Sequence, residues 1–315
     1  MQRTAFLTSL AAASLAAPAT AQTGRTALRI GLIPSDFSGQ AYFAKELGYF
    51  ESAGLDVELN PIGNGAAIQA ALVSGALDIG YSNVLAMAAA RSRGVPFQFV
   101  IGSNYYRRDE ATVGAIGVAR ASTIQVARDL EGKTIAVSGI NEIAWLAARR
   151  WMDTNGADSS KARFVELPFP AMAAAVAAGR VDAASLNLAL APTAGMPGDP
   201  LRLIGYSYDA IAPRWVISAW CATPDWIAKH PVELGHFVAA MQQATTWANA
   251  HRSDATAILA KYLNRSAASI EALPRPTFET RITPALLQPA IDQAARYGVT
   301  PSSFPAGELI AASAR

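Results

Sequence analysis

A single cysteine, Cys221, occurs in 315 residues, so no disulfide can form within the chain and stability must come from packed core. It sits in the apolar run Trp215-Val216-Ile217-Ser218-Ala219-Trp220-Cys221, the setting of a buried structural thiol rather than a nucleophile. Histidine is nearly as scarce. His230, His236 and His251 are the only three, and their spacing fits no metal-ligand pattern. Charged residues make up only 16% of the chain, the formal net charge is +2, and no basic block occurs, which argues against a nucleic-acid surface or a polybasic membrane anchor. Nucleotide fingerprints fail as well. Gly63-Asn64-Gly65 begins a G-x-G-x-x-G, but Ile68 replaces the last glycine; Gly132-Lys133-Thr134 lacks the Walker glycine, where Ala127 stands. No cofactor, metal or nucleic acid is therefore expected.

What is present begins at the amino terminus. Arg3, the apolar stretch Ala5 to Ala17 and the small-x-small Ala19-Thr20-Ala21 form a secretory signal, so residues 1–21 are expected to be cleaved after Ala21 and the mature chain to be periplasmic. That stretch falls short of the ~20 apolar residues a membrane span requires. Later apolar runs are short and broken by Gly, Pro and Asp.

Hydrophobic period alternates between strand and helix. Leu28 to Ile33 reads as a buried strand ending at Pro34, and Phe43, Leu47 and Phe50 then fall on one helix face. Leu55 to Leu59 alternates as a half-buried strand does; Ala66 to Ser74 is helical with Gly75 as its stop; Leu77 to Tyr81 is a further strand. Strands alternating with helices predict an α/β protein with parallel sheets. The same unit returns 104 residues later: Gly75-Ala76-Leu77-Asp78 is matched by Gly179-Arg180-Val181-Asp182, each Asp being followed five positions on by Asn83 or Asn187. Two β-rich segments, Ala111 to Arg120 and Arg214 to Ala222, bracket the second copy and read as crossover strands. The expected organisation is two α/β domains joined by two crossover strands: lobe I from 28–112 and 215–315, lobe II from 113–214. The tail beyond Pro224 reads as helical and is expected to cover lobe I.

Ligands in open parallel α/β sheets bind beyond the carboxyl ends of the strands. The loops there carry Ser35, Asp36, Phe37, Ser38, Gly39, Asn64, Gly65, Ser82, Asn83, Ser103 and Asn104 in lobe I, and Ser138, Gly139, Asn141, Glu142 and Asn187 in lobe II. Small, amide and hydroxyl residues let backbone N–H groups approach a ligand and add neutral donors and acceptors, although Ser and Asn also cap helices. Tyr42, Tyr81, Trp145 and Trp215 lie near these loops and complete the candidate ligand-binding set, with no catalytic residue among them.

The segment Ala44-Lys45-Glu46-Leu47-Gly48-Tyr49-Phe50-Glu51-Ser52-Ala53-Gly54-Leu55-Asp56-Val57-Glu58 resembles the region after the first strand of the NMT1/THI5-like receptors, which bind nitrate, sulfonate, taurine and thiamine precursors for ABC importers. Ala70 to Ile79, Asp129 to Val137 and Ala173 to Ala183 extend the similarity. The resemblance implies a type II periplasmic-binding-protein fold, a small organic ligand held at the hinge, and delivery by a monomer to a membrane permease with its ATPase subunit. Many members carry Glu-Pro where this chain reads Asn187-Leu188-Ala189-Leu190-Ala191-Pro192, a departure at a predicted cleft wall. Two alternatives accompany the resemblance: a pyrimidine-forming enzyme, against which the lack of a cleft histidine counts, and a periplasmic sensor.

Ligand charge is balanced by opposing terms. Helix N-termini after Ser38, Gly65, Asn83 and Asn141 favour an anion by ~0.3–1 kcal/mol each. Asp36 and Glu142 oppose one, and a carboxylate ~4 Å from an anionic group costs up to about 4 kcal/mol at an effective dielectric near 20. Arg107, Arg108 and Arg214, near the crossovers, would tip the balance back if they faced the site. With Phe37, Tyr42, Tyr81 and Trp145 near the loops, the expectation is a neutral or donor-bearing solute with an apolar portion.

Overall fold

The computed structural model describes residues 24–110, 113–188, 198–272 and 276–314. The signal segment 1–21 and Ala189 to Pro192 lie outside the described residues. The described strands form two five-stranded sheets. In the first, β1 (Thr26–Leu32) pairs in parallel with β2 (Leu55–Pro61) and β3 (Ile79–Asn83), while β4 (Gln98–Arg107) closes the far edge. The second contains β5 (Gly114–Ala119), β6 (Thr134–Val137), β7 (Arg163–Glu166), β8 (Ala183–Asn187) and β9 (Leu201–Tyr206), with β6 parallel to β7 and β8. The chain then returns to the first sheet as β10 (Arg214–Ala222), antiparallel to both β3 and β4. β5 occupies the same antiparallel place in the second sheet, between β8 and β9. The two sheets thus have one order, β2-β1-β3-β10-β4 and β7-β6-β8-β5-β9, and the chain crosses between them twice, from β4 into β5 and from β9 into β10.

Helices occupy the connections: α1 (Gly39–Glu46), α2 (Tyr49–Ser52), α3 (Gly65–Val73) and α4 (Val84–Ser92) with the first sheet, and α5 (Ile143–Thr154) and α6 (Phe169–Ala177) with the second. The carboxyl-terminal part adds α7 (Pro224–Lys229), α8 (Pro231–Ala250), α9 (Arg252–Leu263), α10 (Ala267–Glu271) and α11 (Pro284–Arg296). There α8 packs on α1 and α2, and α11 packs on α4 and β10. A large apolar core runs through the first lobe and includes the fully buried Trp215, Trp220, Phe43 and Phe237. Alternation along β5 and β6 divides the second core between two faces: Ala115 and Ala136 join Met172 and Leu186 on one, and Ile116 and Ile135 join Trp151 and Met152 on the other.

The repeat seen in the sequence has a mechanical explanation. Gly75 and Gly179 adopt positive φ of 73° and 67°, the left-handed turn that ends α3 and α6 and that a side chain disfavours. Three residues on, the carboxylate of Asp78 accepts the backbone N–H of Arg29 at 2.7 Å, and that of Asp182 accepts the backbone N–H of Thr134 at 2.8 Å. Asp78 thus ties the start of β3 to β1, and Asp182 ties the start of β8 to β6, which fixes the register of each parallel pair. A hydrogen bond to a charged acceptor contributes about 1.5–3 kcal/mol, so this is a strong local constraint.

One glycine shapes the passage between lobes. A Cβ on Gly114, at the entry of β5, would lie 1.9 Å from the ring of Tyr208, which belongs to the segment that returns to β10. Both crossing segments therefore interlock at this point. Gly114→Ala should lower the unfolding free energy by about 1–3 kcal/mol through overpacking, read as a lower urea midpoint. Gly117→Ala, whose new methyl would meet only flexible Leu186 and Leu201 side chains, should cost less. Equal midpoints for the two variants would contradict the interlock.

Candidate ligand-binding site

A cavity of about 230 Å3 opens between the two sheets, at the carboxyl ends of their parallel strands. The first lobe contributes Ser35 and Phe37 after β1, Gly65 at the start of α3, and Tyr81, Ser82 and Asn83 at the end of β3. The second contributes Ser138 after β6, Glu142 before α5, and Asn187 at the end of β8. These nine belong to the set expected from the sequence.

Other members of that set stand behind the wall. Asp36 and Ser38 flank Phe37 in a buried 3-10 turn, where the Ser38 hydroxyl donates to the carbonyls of Ile33 and Ser35. Gly39 opens α1 and lets Phe43 and Phe278 pack closely. Ser103 and Asn104 are buried on β4, and both donate to the carbonyl of Phe37, tying the β1 loop to the opposite strand of the sheet. Asn64 caps α3 by accepting the Ala67 N–H at 2.9 Å. Gly139 and Asn141 shape the turn into α5, Asn141 with a φ of 65°, and Trp145 lies within α5 edge-on to Phe164. Two residues lie elsewhere. Tyr42 stacks on Tyr262 at 4.7 Å and lines a separate groove beside β2, and Trp215 is fully buried with its indole N–H donating to Tyr208.

Eight wall residues were not in the expected set. Ile33, Pro34, Ile143, Ala144 and Phe169 adjoin expected positions and supply apolar surface, and Ile217 adds more from β10. Ser218 carried a usable signal, as the one hydroxyl in the apolar run Trp215 to Cys221. It forms a short hydrogen bond with the Tyr81 hydroxyl, which also accepts from Asn104 Nδ2 at 2.7 Å. Register shifts in the β10–β4 pairing fall on both sides of Ser218 and aim it at this cluster. Tyr208 carried no such signal, because its place depends on the crossing of two distant segments.

Glu142 is the one charged side chain among the described residues of the wall. It occupies the N-cap position of α5 without capping it, and Asn83 Nδ2 of the other lobe approaches its Oε2 at 3.5 Å. Much of the residue's surface is open to the cleft, yet surrounding protein crowds the carboxylate; this desolvation raises its pKa, the Asn83 contact opposes the rise, and nearby Glu166 adds to it. Tyr208 responds in turn. Its phenol pKa is pushed up by burial and by Glu142, against a hydrogen bond with Asn187.

This arrangement defines a two-lobed binding-protein fold with a small, mostly neutral chamber between its lobes. The chain belongs to the NMT1/THI5-like family, whose model matches residues 37–255. Similar solved structures include the periplasmic aliphatic sulphonate binding protein SsuA from Escherichia coli, with 19% identity, a TM-score of 0.74, and coverage of 90% of this chain and 92% of that one. The Candida albicans CA3427 gene product, described as having the generic periplasmic binding protein fold, has 17% identity, a TM-score of 0.72 and coverage of 90% and 96%. The periplasmic nitrate-binding protein NrtA from Synechocystis PCC 6803 has 14% identity, a TM-score of 0.70 and coverage of 90% and 84%. No curated protein has a matching sequence.

A carboxylate whose folded pKa is raised binds protons more tightly when folded. Stability is then lost as pH rises from the ordinary carboxylate value through the raised one. Glu142→Gln removes that loss, so the melting temperature of the variant relative to wild type should climb between pH 4 and pH 8. A difference independent of pH would show that Glu142 titrates normally.

Proposed function

We propose that this protein is the solute-binding component of an ABC importer, which encloses a small organic molecule between its lobes and presents it to a membrane permease with its ATPase subunit. The observation that carries this reading is the cavity itself. Both sheets wall it, at the strand ends where α/β proteins place ligands, and its walls are apolar with a few converging hydroxyls and amides. At about 230 Å3 it is smaller than the ~300–1,000 Å3 of sites for drug-sized ligands, which suits a compact metabolite. Family membership and structural relatives described as periplasmic binding proteins support the same reading.

In this proposal lobe I comprises 28–112 and 215–315, lobe II comprises 113–214, and the ligand contacts are the nine wall residues expected from the sequence together with Tyr208 and Ser218. A cavity lined within one chain supports a monomer as the working unit. The working location is the periplasm, reached by cleavage after Ala21. Binding rather than turnover is the reading that the periplasmic binding-protein relatives support.

A thermal-shift screen of small metabolites should yield a binder that raises stability by ~2.7 kcal/mol at a hundred times its dissociation constant and is recovered chemically unchanged after prolonged incubation. Conversion of the binder would instead favour an enzyme. Mass analysis of protein from the periplasm should give a chain beginning at Gln22, and a full-length cytoplasmic product would contradict export.

A further inference from the structure

Sulphonate and nitrate are anions, and four helices begin at this cavity, each with a positive end that suits an anion. In this chain those ends are partly answered by the chain's own side chains. In α3 and α4 one first-turn N–H each, that of Ala67 and of Ala86, is taken by the side chain of Asn64 or Asn83, accepting at 2.9 Å. The start of α5 carries its own carboxylate, Glu142. α6 begins at Phe169 with Pro170 in its first turn, and proline has no N–H to offer.

The cations that sequence placed near the site are also occupied elsewhere. Arg107 pairs with Glu110 and Glu279, Arg214 with Glu279 at 2.7 Å, and Arg108 with Asp209 at 2.6 Å; none of the three lines the cavity. Arg149, one turn beyond Trp145 on α5, lies over the rings of Trp145 and Tyr297. The carboxylates point the other way. Glu142 is in the wall, Glu166 acts on it from beyond, and Asp36 is close enough to influence the Tyr81 hydroxyl.

Resting on the solute-binding reading above, we propose that the ligand carries a cationic or N–H-donating head group, such as an amine or amidine, held by the Glu142 carboxylate with its apolar part against Phe37, Ile143, Phe169 and Ile217. Tyr208 and Asn187, hydrogen-bonded to each other beside Glu142, orient that head group. An anion would have to approach the carboxylate with no cation among the described wall residues in compensation.

The test uses one ring with five head groups: benzylamine, benzamidine, benzamide, benzoate and benzenesulfonate, titrated calorimetrically into wild type, Glu142→Gln and Glu142→Asp. Benzamidine or benzylamine should bind wild type tightest, lose about tenfold or more in Glu142→Gln, and retain part of that affinity in Glu142→Asp, which keeps the charge. Tighter binding of benzoate or benzenesulfonate, or cation binding unchanged by Glu142→Gln, overturns the head-group assignment and leaves the solute-binding reading standing. If none of the five binds, the assignment also fails, and the metabolite screen then decides separately whether the cavity takes any solute.

Discussion

The insertion of β10 between β3 and β4 is the constraint on which the cavity depends. That strand enters from the second lobe, runs against both neighbours, and at Ser218 faces Asn83 of β3 and Asn104 of β4. Ser218, Tyr81 and Asn104 form one hydrogen-bonded cluster, and Asn104 also holds the carbonyl of Phe37. One strand therefore sets the position of the β1 loop, the end of β3 and the floor of the chamber together. Its apolar side chains, Trp215 and Trp220 above all, anchor it in the core, so the polar cluster rests on a rigid base.

The second sheet repeats this plan with β5 in the role of β10. Because each inserted strand is reached by one crossing of the chain, both lobes are tied to the same short hinge, where Tyr208 packs against Gly114 and receives the indole hydrogen bond of Trp215. α5 extends the connection. Its amino end carries Glu142 into the cavity, and near its other end Asp153 accepts a 2.6 Å hydrogen bond from Tyr297, which follows α11 of the first lobe. Glu142 in the cavity wall and the contact at Asp153 thus lie toward opposite ends of one helix.

Alternating periods, the left-handed glycines and the repeated Asp made the strand-helix order legible in the sequence, because each reflects a local rule. The Asp residues were visible as a pattern, although their task of holding β3 to β1 and β8 to β6 emerges only from the pairing. Residues at the strand ends and in the loops beyond them were legible for the same local reason, and nine of them reach the wall. The rest was hidden by distance along the chain. Whether Tyr42 faces the cavity or Tyr262, and whether Trp215 faces ligand or core, depends on helices and strands more than a hundred residues away. Tyr208 and Phe169 were missed because aromatic side chains in a loop or a helix start carry no local mark of the cleft they border.

The central claim is that ligand is held between the lobes, so its binding must bring them together. Ala66, in the first turn of α3, and Ala174, on α6, are exposed on opposite sides of the cleft, and Cys221 is buried with its thiol pKa pushed up to about 12, so labels on Ala66→Cys and Ala174→Cys report only on the lobes. Pulsed electron-spin distance measurement on this pair, with and without a solute that binds tightly, is the most direct test. The account predicts a shorter and narrower distance distribution in the bound state. Tight binding that leaves the distribution unchanged would contradict it.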